Sequence, residues 1–216
     1  MSVIEKLASM QNRKDDVPNQ ELAKEIAKNK DSKAIKEIVE SLYDKNKNIQ
    51  SDCIKVLYEI GYIHPDLIQK YVGDFIELLG SRSNRLVWGS MIALSTIATL
   101  EANKIFENID KILGTTKKGS VITVDNGIKT LAGVASVSDQ YNGKIFPFLM
   151  EHLRTCRPKE IPQHAESIAV AVTKDNRSEL LGVLEDRKDV LTTSQLKRVN
   201  KIIKSLSSKE ANYGTI

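Results

Sequence analysis

The sequence predicts an all-α, right-handed superhelical α-solenoid of about five helix pairs with capping helices at both ends. Three observations lead there. Apolar residues recur at helical spacing inside short blocks. The blocks return at a fixed step of 37 residues. Each block is followed by a second helical pattern that closes on a glycine or a turn. The step of 37 links Leu57, Leu94, Leu131 and Ile168. It also links Ile60, Ile97, Val134 and Ala171, and again Ile54, Met91, Ile128 and Ala165. Gly61, Ala98, Ala135 and Val172 follow in register. Helical spacing within a unit and a fixed period between units mark a stacked-repeat architecture.

The elements follow in chain order. Ser2-Val-Ile-Glu5 reads as a capping box that opens an N-terminal helix. An offset first pair fits residues 19–29 and 32–43. In the second unit "PDLIQKYVGDFIELLG" predicts one helix, with Pro65 in its first turn, Leu67, Ile68, Tyr71, Val72, Phe75, Ile76 and Leu79 on one face, and a stop at Gly80. The third unit carries Ile105, Phe106, Ile109, Ile112 and Leu113, stopped by Gly114. "SVITV", 120–124, is β-branched and in isolation favours a strand. The repeat register instead makes it the start of a helix. "GIKTLAGVAS", 127–136, is then the first helix of an interior repeat, with Gly127 and Gly133 admitting close neighbours. The fourth unit holds Ile145, Phe146, Leu149 and Leu153, with Pro147 in the first turn of that helix. The fifth holds Leu180, Leu181, Val183 and Leu184. Residues 193–206 form a polar closing helix, giving one repeat domain over 1–207 and a flexible tail over 208–216.

Bulk composition bounds the function. The chain is 41% apolar and 28% charged, as expected of a soluble protein, and aromatics are only 5%, so the core must be aliphatic. The net charge of +4 is mildly basic. Glu5 and Lys6 fall where a secretion signal needs an apolar run. The longest uncharged stretch, Leu86 to Leu100, is too short and too rich in Gly, Ser and Thr for a membrane span. Cys53 and Cys156 read as free thiols of a reducing compartment, so a cytoplasmic location is expected.

The blocks "CIKVLYEIG", "MIALSTIAT" and "GIKTLAGVA" give residues 19–190 a resemblance to HEAT-repeat proteins, close to the armadillo class. The resemblance implies a protein-binding scaffold, and some such proteins bind nucleic acid. The proline common in the family's first helices occurs here only in the fifth unit, as Pro162. An enzymatic branch, the HEAT-like alkylpurine DNA glycosylases, lines its cleft with tryptophans and an aspartate. Here Trp88 is the single tryptophan, Ile92 lies four residues on, and the run 86–100 has no acidic residue. The sequence therefore reads as non-catalytic, with no cofactor.

No motif carries chemistry on its own. "GTTKKGS" lies in an inter-repeat turn and is no phosphate loop. His64, His152 and His164 are scattered; His152 and Cys156 share a helix spacing, but two ligands are too few for zinc, and no metal site is expected. Two surfaces are candidates. The exposed sides of the second helices, the concave face in HEAT proteins, offer Lys70, Asp74, Glu77, Lys104, Asn108, Lys111 and Glu151, a mixed charge suited to a protein partner. The turns between repeats offer Lys45, Lys47, Arg82, Arg85, Lys117, Lys118, Arg154, Arg157, Arg187 and Lys188, an edge that would attract an anionic partner such as a nucleic acid. Cations at helix ends also simply complement the helix dipole. The expected partner is another protein, with nucleic acid at the basic edge as the alternative and no membrane.

Overall fold

The computed structural model describes residues 2–211, with side chains through residue 207. Among these residues there are twelve α-helices and no strand. They are α1 (Val17–Asn29), α2 (Ser32–Glu40), α3 (Lys47–Ile63), α4 (Val72–Leu78), α5 (Asn84–Ile97), α6 (Ala102–Glu107), α7 (Ile109–Lys118), α8 (Val121–Ala135), α9 (Asp139–Thr155), α10 (Ile161–Ile168), α11 (Arg177–Asp186) and α12 (Thr193–Ala211). By packing the chain divides into two compact units, Met1–Thr130 and Leu131–Ile216, with the boundary inside α8. In the first unit α1, α3 and α5 stack side by side, α2 packs on α3, and α4 packs on α5 and α6. In the second, α9 packs on α10 and α11, and α12 packs on both α10 and α11.

The register is realised in the core. Leu57, Leu94, Leu131 and Ile168 all have 0% exposure, as do Ile54, Met91, Ile128 and Ala165. In the remaining two rows only Val172 is half-buried. Helix α5 buries nine of its fourteen residues, so most of the uncharged run 86–100 is core, while its end at Thr99 and Leu100 is exposed. Residues 121–124 are helical, as the register requires, because packing overrides weak β propensity. Caps set several boundaries. The Asp31 carboxylate accepts from the Lys33 and Ala34 amides at 3.1 and 3.0 Å, Asn46 accepts from Asn48 N at 2.9 Å, and Ser138 from Tyr141 N at 3.2 Å. Close approach explains two glycines. A Cβ on Gly89 would lie 2.6 Å from Ile54 Cγ1, and one on Gly127 would overlap the Thr116 hydroxyl.

Several expectations about individual elements need correction. The N-terminus forms a 3-10 turn, Val3–Lys6, in place of a helix. Ser2 accepts from Ile4 N, but the carboxylate that completes its cap is Glu37, not Glu5: it takes the Ser2 hydroxyl and the Val3 amide. The helix expected from Pro65 is two 3-10 turns, Pro65–Leu67 and Gln69–Tyr71, ahead of α4. The chain bends at Ile68, whose fully buried side chain is seated against the bare Gly61 backbone. The third unit's second helix divides into α6 and α7 at Asn108, whose side chain donates to Lys104 O at 2.9 Å and competes with the backbone. Gly114 stops nothing; α7 continues to carry the buried Thr116 against Gly127. Pro147 lies inside α9, not in its first turn, because the Ser138 cap starts that helix at Asp139. Pro147 and Gly143, the residue four earlier whose carbonyl it leaves unpaired, are both exposed to solvent. The closing helix runs to Ala211, past the 193–206 expected. The tail expected over 208–216 overlaps its end and otherwise lies outside the described residues.

Candidate functional site

The most distinctive surface of the first unit is an aromatic and cationic patch on α3, α5 and α8. Four-residue spacing on α3 puts Tyr58 and Tyr62 on one face, their rings 6.1 Å apart and edge to face. The first turn and a half of α5 brings Trp88 to 6.1 Å from Tyr58. Each ring carries a cation: Lys55 at 5.0 Å from Tyr58, Arg85 at 4.5 Å from Trp88, and Lys129 at 5.8 Å from Tyr62. Two carboxylates balance them in part. Glu59 accepts from Lys55 Nζ at 2.7 Å, and Asp16 lies 3.5 Å from Lys55 and 3.6 Å from Arg85. Burial works to lower the Lys55 pKa, but its bonds to Glu59 and Tyr58 outweigh burial and raise it, so the ammonium stays charged. Burial raises the Tyr58 and Tyr62 phenols, which stay neutral. Tyr62 is 53% exposed and Ile63 beside it is 43% exposed, leaving apolar surface open to a partner. A depression of about 510 Å³ adjoins the patch, lined by Arg13, Asp16, Asp52 and Arg85 among others. The patch offers cations, ring faces and apolar area.

The second-helix residues fall as follows. Lys70 lies over its own neighbour, the Tyr71 ring, at 5.0 Å. Asp74 accepts from the Tyr43 hydroxyl at 3.2 Å, and burial, helped by Asp74 and Glu77, pushes that phenol up to about 12. Lys111 donates to Glu77 O at 3.2 Å. Lys104, Asn108 and Glu77 are exposed. All six belong to the unit Met1–Thr130, while Glu151 is exposed in the other.

The inter-repeat cations divide between the units in the same way. Lys45, Lys47, Arg82, Lys117 and Lys118 are exposed in the first. Arg85 turns onto Trp88 and Asp16 and joins the aromatic patch. In the second unit Arg154 pairs with Glu179 at 2.7 Å, Arg157 pairs with Glu160, and Lys188 with Glu185 at 2.6 Å. Arg187 donates to the Leu153 and Cys156 carbonyls at 3.1 and 2.8 Å and to that of Arg154, closing the C-terminus of α9.

Folding also assembles a cluster that the sequence keeps apart. His152 from the last turn of α9, Cys156 just past its end, and His164 from α10 converge, with one ligand atom of each within 4.8 Å of the others. His152 Nε2 and His164 Nδ1 are 3.0 Å apart. Counting only His152 and Cys156 left the set one ligand short; His164 is the third. The spacing that hid it is the turn at 157–160. The aromatic patch was missed for a similar reason. Its visible signals are the i, i+4 tyrosines and the register itself, since Lys55 and Lys129 sit two steps of 37 apart.

No protein-family model matches this chain, and no curated protein does. Solved structures do. A designed armadillo repeat protein in complex with the peptide (KR)4 is similar over 87% of this chain and 86% of its own length, with a TM-score of 0.67 at 15% identity. Computationally designed armadillo repeat proteins for modular peptide recognition give a TM-score of 0.65 at 16% identity, over 94% of this chain and 97% of theirs. The karyopherin Kap121p, bound to the SUMO protease Ulp1p, gives a TM-score of 0.65 at 13% identity, covering 93% of this chain and 22% of the karyopherin. The fold is therefore an armadillo/HEAT-like α-solenoid. Among the described residues no helix is long and apolar enough to cross a membrane.

Proposed function

We propose that the chain is a non-catalytic scaffold of the cytoplasm that holds an extended segment of another protein. The patch built by Tyr58, Tyr62 and Trp88 with Lys55, Arg85 and Lys129 carries this reading. Aromatic and arginine side chains in partly exposed clusters are the usual energetic anchors of protein interfaces. Three cations against two carboxylates favour a segment with acidic and apolar residues. The second-helix residues Lys70, Glu77, Lys104 and Lys111 offer a separate mixed-charge surface for such a partner. The likeness in fold to a designed repeat protein complexed with a peptide supports the reading by analogy.

Cations over aromatic rings also suit stacked nucleobases, which makes nucleic acid the second reading. Affinity capture from native lysate, with and without nuclease, separates the two. The scaffold reading expects a nuclease-resistant protein that is lost on Tyr62→Ala with Lys129→Ala. Material that nuclease removes, bound with a salt slope of about 0.7–0.9 per phosphate contacted, would replace it with the second. Release of 7-methylguanine from alkylated DNA, abolished by Trp88→Ala, would overturn the non-catalytic assignment.

A further inference from the structure

We propose that His152, Cys156 and His164 form a binding site for a borderline transition-metal cation, with Zn²⁺ the best match. Two imidazoles and one thiolate are a nitrogen and sulfur donor set that zinc favours and that magnesium and calcium do not. The spacing is close to what the ion needs. Two nitrogens each about 2.0–2.1 Å from a tetrahedral zinc stand about 3.3 Å apart, and here His152 Nε2 and His164 Nδ1 are 3.0 Å apart. Cys156 Sγ lies within 4.8 Å of both, against the roughly 3.6 Å that separates sulfur from nitrogen across a tetrahedral zinc.

The three ligands are held by rigid parts of the fold. His164 is fully buried on α10. Cys156 is anchored by Arg187, which donates to its carbonyl at 2.8 Å. The turn joining the two helices is closed by the Arg157–Glu160 pair. Such preorganisation is what a metal site requires of its scaffold. His152 is half-buried, so the cluster keeps a solvent-facing side through which an ion enters. Three protein ligands leave a fourth position for water.

Binding has a definite proton balance. The thiol now points to Leu153 O at 3.7 Å and gives its proton to solvent when sulfur binds the ion. The hydrogen shared between the rings moves to the non-ligating nitrogen of its own ring, leaving His152 Nε2 and His164 Nδ1 as lone-pair donors.

The test uses the full, untagged chain. Zn²⁺ is titrated against a chromophoric chelator, and Co²⁺ is added as a spectroscopic probe. The expected result is one equivalent per chain, no competition from Mg²⁺, and a cobalt spectrum with tetrahedral d–d bands and a thiolate-to-metal charge-transfer band. Cys156→Ser abolishes that band. Cys156→Ser and His152→Gln, each checked for an unchanged thermal melt in the absence of metal, weaken zinc by more than the roughly 10–100-fold typical of outer-shell changes. Sub-stoichiometric binding, a cobalt spectrum without the charge-transfer band, or a zinc affinity unaltered in Cys156→Ser would overturn the assignment.

Discussion

The α3–α5 region and the α9–α10 region share one repeat and are held together differently. In the first, bare backbone meets apolar side chain where Gly89 admits Ile54, and the buried Lys55 ammonium lies over Tyr58 and pairs with Glu59 while Arg85 lies over Trp88. In the second, amide and imidazole groups are the buried polar side chains. The buried Asn142 amide donates to the Ala135 and Ala171 carbonyls at 3.2 and 2.7 Å and accepts from Asn176 at 2.8 Å. His164 is buried against His152. The register dictates the same apolar positions in both, with Leu57 and Leu94 in one and Ile168 in the other. It leaves the remaining positions open, and there the two regions acquire separate chemistry.

Truncating the shared core should have the largest effect, because both regions depend on it. Leu94→Ala is expected to cost ~2–5 kcal/mol, read from urea unfolding. Cys53 offers a second reading of the same opening. Burial, then the neighbouring Asp52, pushes its thiol far above the ordinary range, so alkylation at pH 8 should be blocked in the folded wild type and accelerated in the variant.

The next test separates the regions. Gly89→Ala should destabilise the first by about 1–3 kcal/mol through overpacking against Ile54. A neutral result would mean that α3 and α5 can part without loss. Asn142→Ala should cost the second about 1–3 kcal/mol, because the Ala135 carbonyl loses the Asn142 donor and the Ala171 carbonyl keeps only the longer 3.4 Å bond from Asn176. Protection of the Ala171 segment in hydrogen exchange should fall with it. The smallest effects belong to the surface. Arg154→Ala removes an exposed pair with Glu179 and should change stability by no more than about 1 kcal/mol. Lys129→Ala removes one exposed cation–π contact and should cost about 0.5–1 kcal/mol at most. If Lys129→Ala also leaves partner capture intact, the patch is an ordinary surface.

The helical class, the step of 37 and the register of core residues are legible in the chain before it folds. Apolar periodicity is a local property, and every stacked repeat needs the same face buried. The caps Asp31 and Ser138 are just as local, acting on amides two or three residues away, yet the apolar pattern does not reveal them. Tertiary structure alone decided where the second helices break. At Ile68 the cause is Gly61 on another helix, and α7 runs past Gly114 because Thr116 packs against Gly127. It alone decided that Glu37 would cap Ser2, that Trp88 would meet Tyr58, and that His164 would join His152 and Cys156. Each of these meetings joins residues that no shared helix turn relates. Periodicity says which side chains leave water, whereas the meeting of two polar side chains depends on how neighbouring helices are set, and that is settled only when the chain packs.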